Sequence, residues 1–408
     1  MKKIKVGVIG IGGWGWSYIH RLCEMMCEQE ARLPDKQEAG FHVELAAVCD
    51  LRVEMAEYAA NFTREKTGFS PVVCSCADKF FCGAGLDAAV ITTSWQTHIP
   101  LAVKAMKNGV RPGIEAGGAS SVERCHELVA AYEETGVPCM FMENFNYERS
   151  EMALLNMTER GMFGELVHVQ CGYQHDLRDN LANCRANHNY RLEHYLHRNG
   201  DFYPMHGLGP KLKLLKIFNG NRFTSLVSMS SKARGLAAWV KGNLPEGHHM
   251  HKENITEGDI VVTLIKCENG ETVQLIHDTT LPRPFSRNGR VQGTKGIWMA
   301  DTKSVYIEGM SPPGKWEDFT EFIERNDLDH PVWKEYLASG RADSVAHGAI
   351  DYLVLREFLR SAAEHTDPPV NTYEAALLSA VTPLSEQSIA LGSQPVNVPD
   401  FTHGKYMS

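Results

Sequence analysis

The chain has 408 residues, 43% of them apolar, and a formal net charge of −9. That length points to two domains rather than one core, and the acidic balance excludes a general nucleic-acid binder, which needs basic surface to neutralise phosphate. No run of 18 apolar residues offers a membrane-spanning helix.

The opening MKKIKVGVIG enters a strand pattern at once, leaving no room for a leader's apolar core and cleavage site unless one was trimmed away. The 11 cysteines, an odd number at irregular positions, read as reduced thiols of a cytoplasmic protein. KIKVGVIG reads as a buried parallel strand. It runs into GIGGWG, with Gly10, Gly12 and Gly15 in G-x-G-x-x-G spacing, and the helical pattern WSYIHRLCEMMCEQ follows. Gly10 permits the tight turn, Gly12 lets a pyrophosphate approach the backbone, and Gly15 lets the helix pack on the strand. The helix N-terminus then offers its unpaired N–H groups to the phosphates.

A second strand, HVELAAVCD, ends in Asp50. An acidic residue there accepts hydrogen bonds from the adenosine ribose hydroxyls and repels a 2′-phosphate, so NAD is favoured over NADP, although Arg52 lies close by. The long interval between Gly15 and Asp50 is read as a helix extension and loop over EQEARLPDKQEAG. Alternation continues through the helix VEMAEYAANFTREKTG, the strands PVVCS and LDAAVITT, a helix within TSWQTHIPLAVKAMKNG, the strand end VRPGIEAGG, the helix SVERCHELVAAYEETG and the strand VPCMFMEN. This predicts an α/β Rossmann domain, a doubly wound parallel sheet, over residues 1–142. Ligands bind at the carboxyl ends of such strands, which puts Trp95, His98, Glu115, Glu143 and Asn144 on the cofactor side. Gly13, Trp14 and Thr93 lie in the same loops and join the candidate cofactor-binding set. CSCADKFFC lacks a second well-spaced Cys/His pair, so no zinc site is expected there.

From residue 143 to 408 the pattern changes. A helix, SEMALLNMTERGMFG, leads to the strand-like runs ELVHVQCGYQH, FTSLVSMSSK, GDIVVTLIKCENG, ETVQLIHDTTL, RNGRVQGTKGIWMAD and SVYIEG, with ENGET as a hairpin turn. This predicts an α+β domain with a large open, mainly antiparallel sheet. A helix begins near Pro204, and two late helical patterns follow, GAIDYLVLREFLRSAAEH and TYEAALLSAVTPLSEQSIALGS. The three histidines of GHHMH are read as an exposed loop. An open sheet face needs covering, which makes a homo-oligomer, dimer or tetramer, the expectation.

Three polar clusters invite a chemical reading. In YQHDLRD, Tyr173 and His175 fall on one face of a strand, suited to binding or deprotonating a sugar hydroxyl, or to a surface pair. In YPMHG, Tyr203 and His206 are three apart at a helix start and share a face. In RPFSR, Arg283 and Arg287 flank Phe285, either lining an anion or sugar pocket or holding a loop.

The glycine-rich start, the strand end at Glu115 and the domain that follows resemble the Gfo/Idh/MocA superfamily of NAD(P)-dependent sugar oxidoreductases. ENFNYERSEMALLNMTERGMFGELVH, YQHDLR, NGDFYPMHGLGP, RFTSLVSMSSK, TTLPRPFSR, QGTKG, HPVW and PLSEQS, in this order, resemble glycoside hydrolase family 109. That family contains NAD-dependent α-N-acetylgalactosaminidases. The resemblance implies hydrolysis of a small-molecule glycoside by transient oxidation at C3, elimination across C1 and C2, water addition and re-reduction. No carboxylate pair at glycosidase spacing is then required. It further implies His206, Tyr203, Tyr173, His175 and Glu143 as catalytic residues. His206 is assigned to the C3 hydroxyl with Tyr203 in support, and Tyr173 and His175 to the C2 proton. Arg191, from NYRLEH, joins Arg283 and Phe285 as substrate-binding.

Two departures stand out. Phe285 occupies a position that is typically tyrosine in these hydrolases. PKLKLLK adds Lys211, Lys213 and Lys216, read as a solvated helix face. The alternatives are a plain sugar dehydrogenase of the superfamily and a dinucleotide-dependent sensor or scaffold. The dehydrogenases carry a Glu-Lys-Pro triplet where this chain has Glu115-Ala116-Gly117, and an Asp where it has Phe202, which favours the hydrolase.

Overall fold

The computed structural model describes residues 2–31, 40–339 and 347–407. Residues 32–39 of the segment read as a helix extension and loop lie outside them. The first elements are β1 (Lys2–Ile9), α1 (Gly13–Ala31), β2 (Phe41–Cys49), α2 (Val53–Thr67), β3 (Val72–Cys74), α3 (Ala77–Gly83), β4 (Ala88–Ile91), α4 (Trp95–Lys107), β5 (Arg111–Glu115), α5 (Val122–Thr135) and β6 (Met140–Met142). All six strands run parallel in the order β3-β2-β1-β4-β5-β6. β4 and β6 are buried at every residue, as a parallel sheet covered on both faces requires. The Ser121 side chain accepts the Arg124 N–H to start α5, and Gly136, at φ 68°, ends it in the left-handed region.

Then come α6 (Arg149–Glu159), β7 (Leu166–Gln174), α7 (Arg178–Ala182), α8 (Arg191–His197), α9 (Pro204–Leu214), β8 (Phe223–Ser230), α10 (Gly235–Asn243), β9 (Ile260–Cys267), β10 (Thr272–Asp278), β11 (Arg290–Gly293), β12 (Gly296–Met299), β13 (Ser304–Ile307), β14 (Glu317–Asp318), α11 (Phe319–Arg325), α12 (Pro331–Ala338), α13 (His347–Glu364), α14 (Thr372–Ala390) and β15 (Val396–Asn397). Their nine strands form one sheet, ordered β14-β13-β12-β11-β7-β10-β9-β8-β15. Only β7 and β10 pair in parallel, so the sheet is mixed and mainly antiparallel. RNGRVQGTKGIWMAD, expected as one run, folds into two antiparallel strands, β11 and β12, because QGTKG turns the chain. Within GHHMH, His248 caps a 3-10 turn over His249–Lys252, with His251 exposed and Met250 buried.

The chain divides into two compact units. One comprises Met1–Asn144 with Asp343–Ser379, the other Phe145–Ala342 with Ala380–Ser408. Residues 347–379, expected in the second domain, therefore cluster with the first. The reason is packing: α13 lies against β1, β2 and β6. A side chain at Gly113 of β5 would stand 3.0 Å from the Phe358 ring.

Candidate active site

In the first unit the turn after β1 is built by glycine. Gly10 has φ +94°, and its N–H donates to Cys49 O at 2.9 Å. A Cβ on Gly15 would sit 2.0 Å from Gly10 O, so only glycine lets α1 begin so close to β1. Around Gly12 and Gly13 nothing stands within 4 Å of such a Cβ, which leaves the backbone open to a pyrophosphate at the start of a 19-residue helix. Asp50 accepts Ile11 N–H at 2.6 Å and Arg52 N–H at 2.9 Å, so its carboxylate is locked at the end of β2 beside the turn. Trp14 is partly exposed. These residues fit a dinucleotide held by its phosphates and adenosine ribose.

Not every residue on the cofactor side faces outward. His98 and Trp95 are each 3% exposed. His98 Nε2 lies 3.0 Å from Thr93 O, and burial lowers its pKa to about 4, so the imidazole is neutral. The Trp95 ring fills the space a Gly117 side chain would take. His98 thus braces the loop that carries Thr93, and Trp95 the loop that follows Glu115. Glu115 is half-buried at the end of β5, and Glu143 is fully buried after β6. Asn144 Nδ2 donates to Asp351 Oδ1 at 2.7 Å. Burial, with Asp351, Glu115 and Glu143 near, raises the Tyr18 phenol well above its ordinary pKa. Tyr18 and Asp351 escape sequence reading, since one sits mid-helix in α1 and the other some 200 residues beyond its partner, at |i−j| = 207.

In the second unit, β7 and the start of α9 bring the two Tyr–His pairs together. Tyr173 Oη lies 2.9 Å from His175 Nδ1. The Tyr173 ring is 4.6 Å from Tyr203 and 5.0 Å from His206, and Tyr203 stacks on His206 at 5.8 Å and 13°. Phe145 meets His206 edge-on at 5.2 Å and stacks on Phe285 at 5.9 Å. Phe285, 47% exposed, also lies edge-on to Tyr173 and His175. It is held there by reciprocal backbone bonds between Ser286 and Gln174, at 2.8 and 2.9 Å. The Arg191 guanidinium lies 5.6 Å over the Tyr203 ring and donates to Asn180 Oδ1 at 2.7 Å. Arg283 donates to Asp278 at 2.5 Å, an ion pair that ties the RPFSR loop to the end of β10.

Behind this cluster lie charges that the sequence hides. Lys211 is fully buried, not on a solvated face; only Lys213 and Lys216 of that run are exposed. Its ammonium pairs with Glu151 and sits 5.0 Å over Trp298. Arg287 bonds Glu151 at 3.0 Å, pairs with Glu148 and stacks at 4.5 Å on Phe145. Asp201, 1% exposed, accepts the Tyr203 N–H at 3.3 Å, and burial pushes its pKa up to about 7. Among the described residues no group of three or more His, Cys, Asp or Glu is placed to hold a metal ion.

The parallel sheet and its glycine turn define an NAD-dependent enzyme, and residues 4–143 match the model described as the oxidoreductase family, NAD-binding Rossmann fold. Residues 147–408 match the model described as glycosyl hydrolase 109, C-terminal domain. The chain belongs to glycosyl hydrolase family 109. It is 35% identical to a glycosyl hydrolase family 109 protein of Parabacteroides distasonis, covering 99% of this chain and 88% of the relative. It is 37% identical to an α-N-acetylgalactosaminidase of Tannerella forsythia, covering 99% and 87%. Among solved structures, a levoglucosan dehydrogenase in complex with NADH and levoglucosan aligns with a TM-score of 0.70 at 18% identity, covering 98% of this chain and 100% of that one, a likeness of fold.

Proposed function

We propose that the protein hydrolyses N-acetylhexosaminides, α-N-acetylgalactosaminides first among them, with bound NAD supplying the hydride acceptor and donor at C3 of the sugar. The observation that carries the proposal is the convergence of Tyr173, His175, Tyr203 and His206, since acidifying and removing a C2 proton demands bases at two neighbouring carbons. His206 accepts the C3 hydroxyl proton, with Tyr203 stacked against it. Tyr173, hydrogen-bonded to His175, meets the C2 proton. Arg191 orients the sugar, Phe285 offers an apolar ring to it, and Glu143 serves as the acid–base carboxylate of the first unit. Ala116 stands where an ammonium would act in the dehydrogenases, which supports the hydrolase over that alternative.

A cytoplasmic location is supported by all 11 cysteines being free. A dimer or tetramer is supported by Met229 and Leu264, 64% and 48% exposed on the nine-stranded sheet. The function is tested with His206→Ala, which is expected to lose both NAD reduction at 340 nm and glycoside cleavage. Cleavage at the parent rate overturns the assignment.

A further inference from the structure

Across the parallel pair of β7 and β10, His277 stands in register with Tyr173. Strand alternation therefore sends His277 to the same face as Val273 and Leu275, whose side chains are fully buried. Its ring lies parallel to Tyr203, at 5.9 Å and 17°, on the core side of the phenol that stacks on His206. Phe202 and Tyr195 close the other sides at 5.7 and 6.3 Å. Glu257, 0% exposed, puts Oε1 3.2 Å from His277 Nδ1, while its Oε2 accepts the Gly200 N–H at 2.9 Å. Neither residue touches solvent, and the catalytic scheme above uses neither.

We propose that Glu257 and His277 are a buried, uncharged positioning pair for Tyr203, holding its ring parallel to His206 from behind. Separating charge inside this aromatic shell would cost more than the attraction returns. The titration directions agree. Burial raises the Glu257 carboxyl well above its ordinary value and lowers the His277 imidazole to about 3, so it favours the uncharged form of each. Asp201 and Glu386 act on Glu257 in the same upward direction, and the Gly200 amide and Arg198 oppose them. The pair also ties two segments to one point. Glu257 fixes the Gly200 amide three residues before Tyr203, and His277 fixes the ring.

The inference rests on the function proposed above, and its test separates the two. Glu257→Ala, Glu257→Gln and His277→Leu are compared with the parent in single-turnover NAD reduction at 340 nm, and sugar affinity is measured by calorimetry. Glu257→Ala and His277→Leu are expected to slow reduction roughly a hundredfold with sugar affinity unchanged, the cost of a misplaced proton acceptor. Glu257→Gln, which keeps the acceptor for Gly200 and an uncharged polar group of the same shape beside His277, is expected to recover the rate to within about tenfold of the parent. An unchanged rate in Glu257→Ala, a Gln variant as slow as the Ala variant, or a loss confined to affinity overturns the proposal. If Glu257→Ala does not fold, as read by circular dichroism and retained NAD, Glu257→Gln decides alone: a loss beyond tenfold overturns the pair. A parent that reduces NAD with no sugar tested contradicts the function reading instead.

Discussion

Replacing Glu151 by leucine strips the counter-charge from Lys211. Among the described residues Glu151 is the carboxylate paired with that ammonium, whose side chain is 1% exposed, whereas Arg287 keeps Glu148. The attraction of Lys211 to the Trp298 ring is present before and after, so it offsets nothing. A buried pair broken on one side costs about 3–5 kcal/mol. In a unit of a few hundred residues each kcal/mol moves the melting midpoint by roughly 2–4 °C, so Glu151→Leu should melt roughly 6–20 °C below the parent. Differential scanning calorimetry at fixed NAD checks it, since bound ligand adds its own stability. Adding Lys211→Met removes the orphaned charge and should restore most of the loss. A single variant within about 1 kcal/mol of the parent refutes the reasoning, because Lys211 would then have found another partner or shed its proton at little cost.

Gly15→Ala places a methyl group against Gly10 O and should abolish NAD retention, measured as dinucleotide released on denaturation. Tyr173→Phe removes the bond to His175 and should lower kcat by roughly 10²–10⁴ with KM little changed, read by steady-state glycoside cleavage. Asp201 titrates near 7 when folded and near 3.8 when unfolded, so the folded chain holds the extra proton between those values and Asp201 lowers stability as pH rises through that window. The full effect is about 4 kcal/mol. Asp201→Asn should therefore melt above the parent at pH 8, with the gap closing toward pH 4.

What the sequence makes legible is what is local. The glycine turn, the strand ends at Asp50 and Glu115, and the Tyr203–His206 spacing follow from a few neighbouring residues, because tight turns and helix starts are decided within one turn of chain. The alternation that places Tyr173 and His175 together is equally short-range. The rest depends on partners far along the chain. Lys211 looks solvated in PKLKLLK because its counter-charge, Glu151, is 60 residues away. His277 reads as one polar residue in a strand until sheet register sets it beside Tyr173. The return of α13 to the first unit rests on its packing against β1, β2 and β6, where a side chain at Gly113 would crowd Met142 and Phe358, contacts no periodicity records. His98 and Trp95 lie at the right strand end, but only packing shows that they face inward.

The central claim is hydrolysis without net redox, and the most direct measurement is nitrophenol release from p-nitrophenyl α-N-acetylgalactosaminide by the purified protein with no cofactor added. The account predicts many turnovers, no lasting rise at 340 nm, and NAD recovered from the denatured protein. No release, with NADH accumulating in step with sugar consumed once NAD⁺ is supplied, would contradict it.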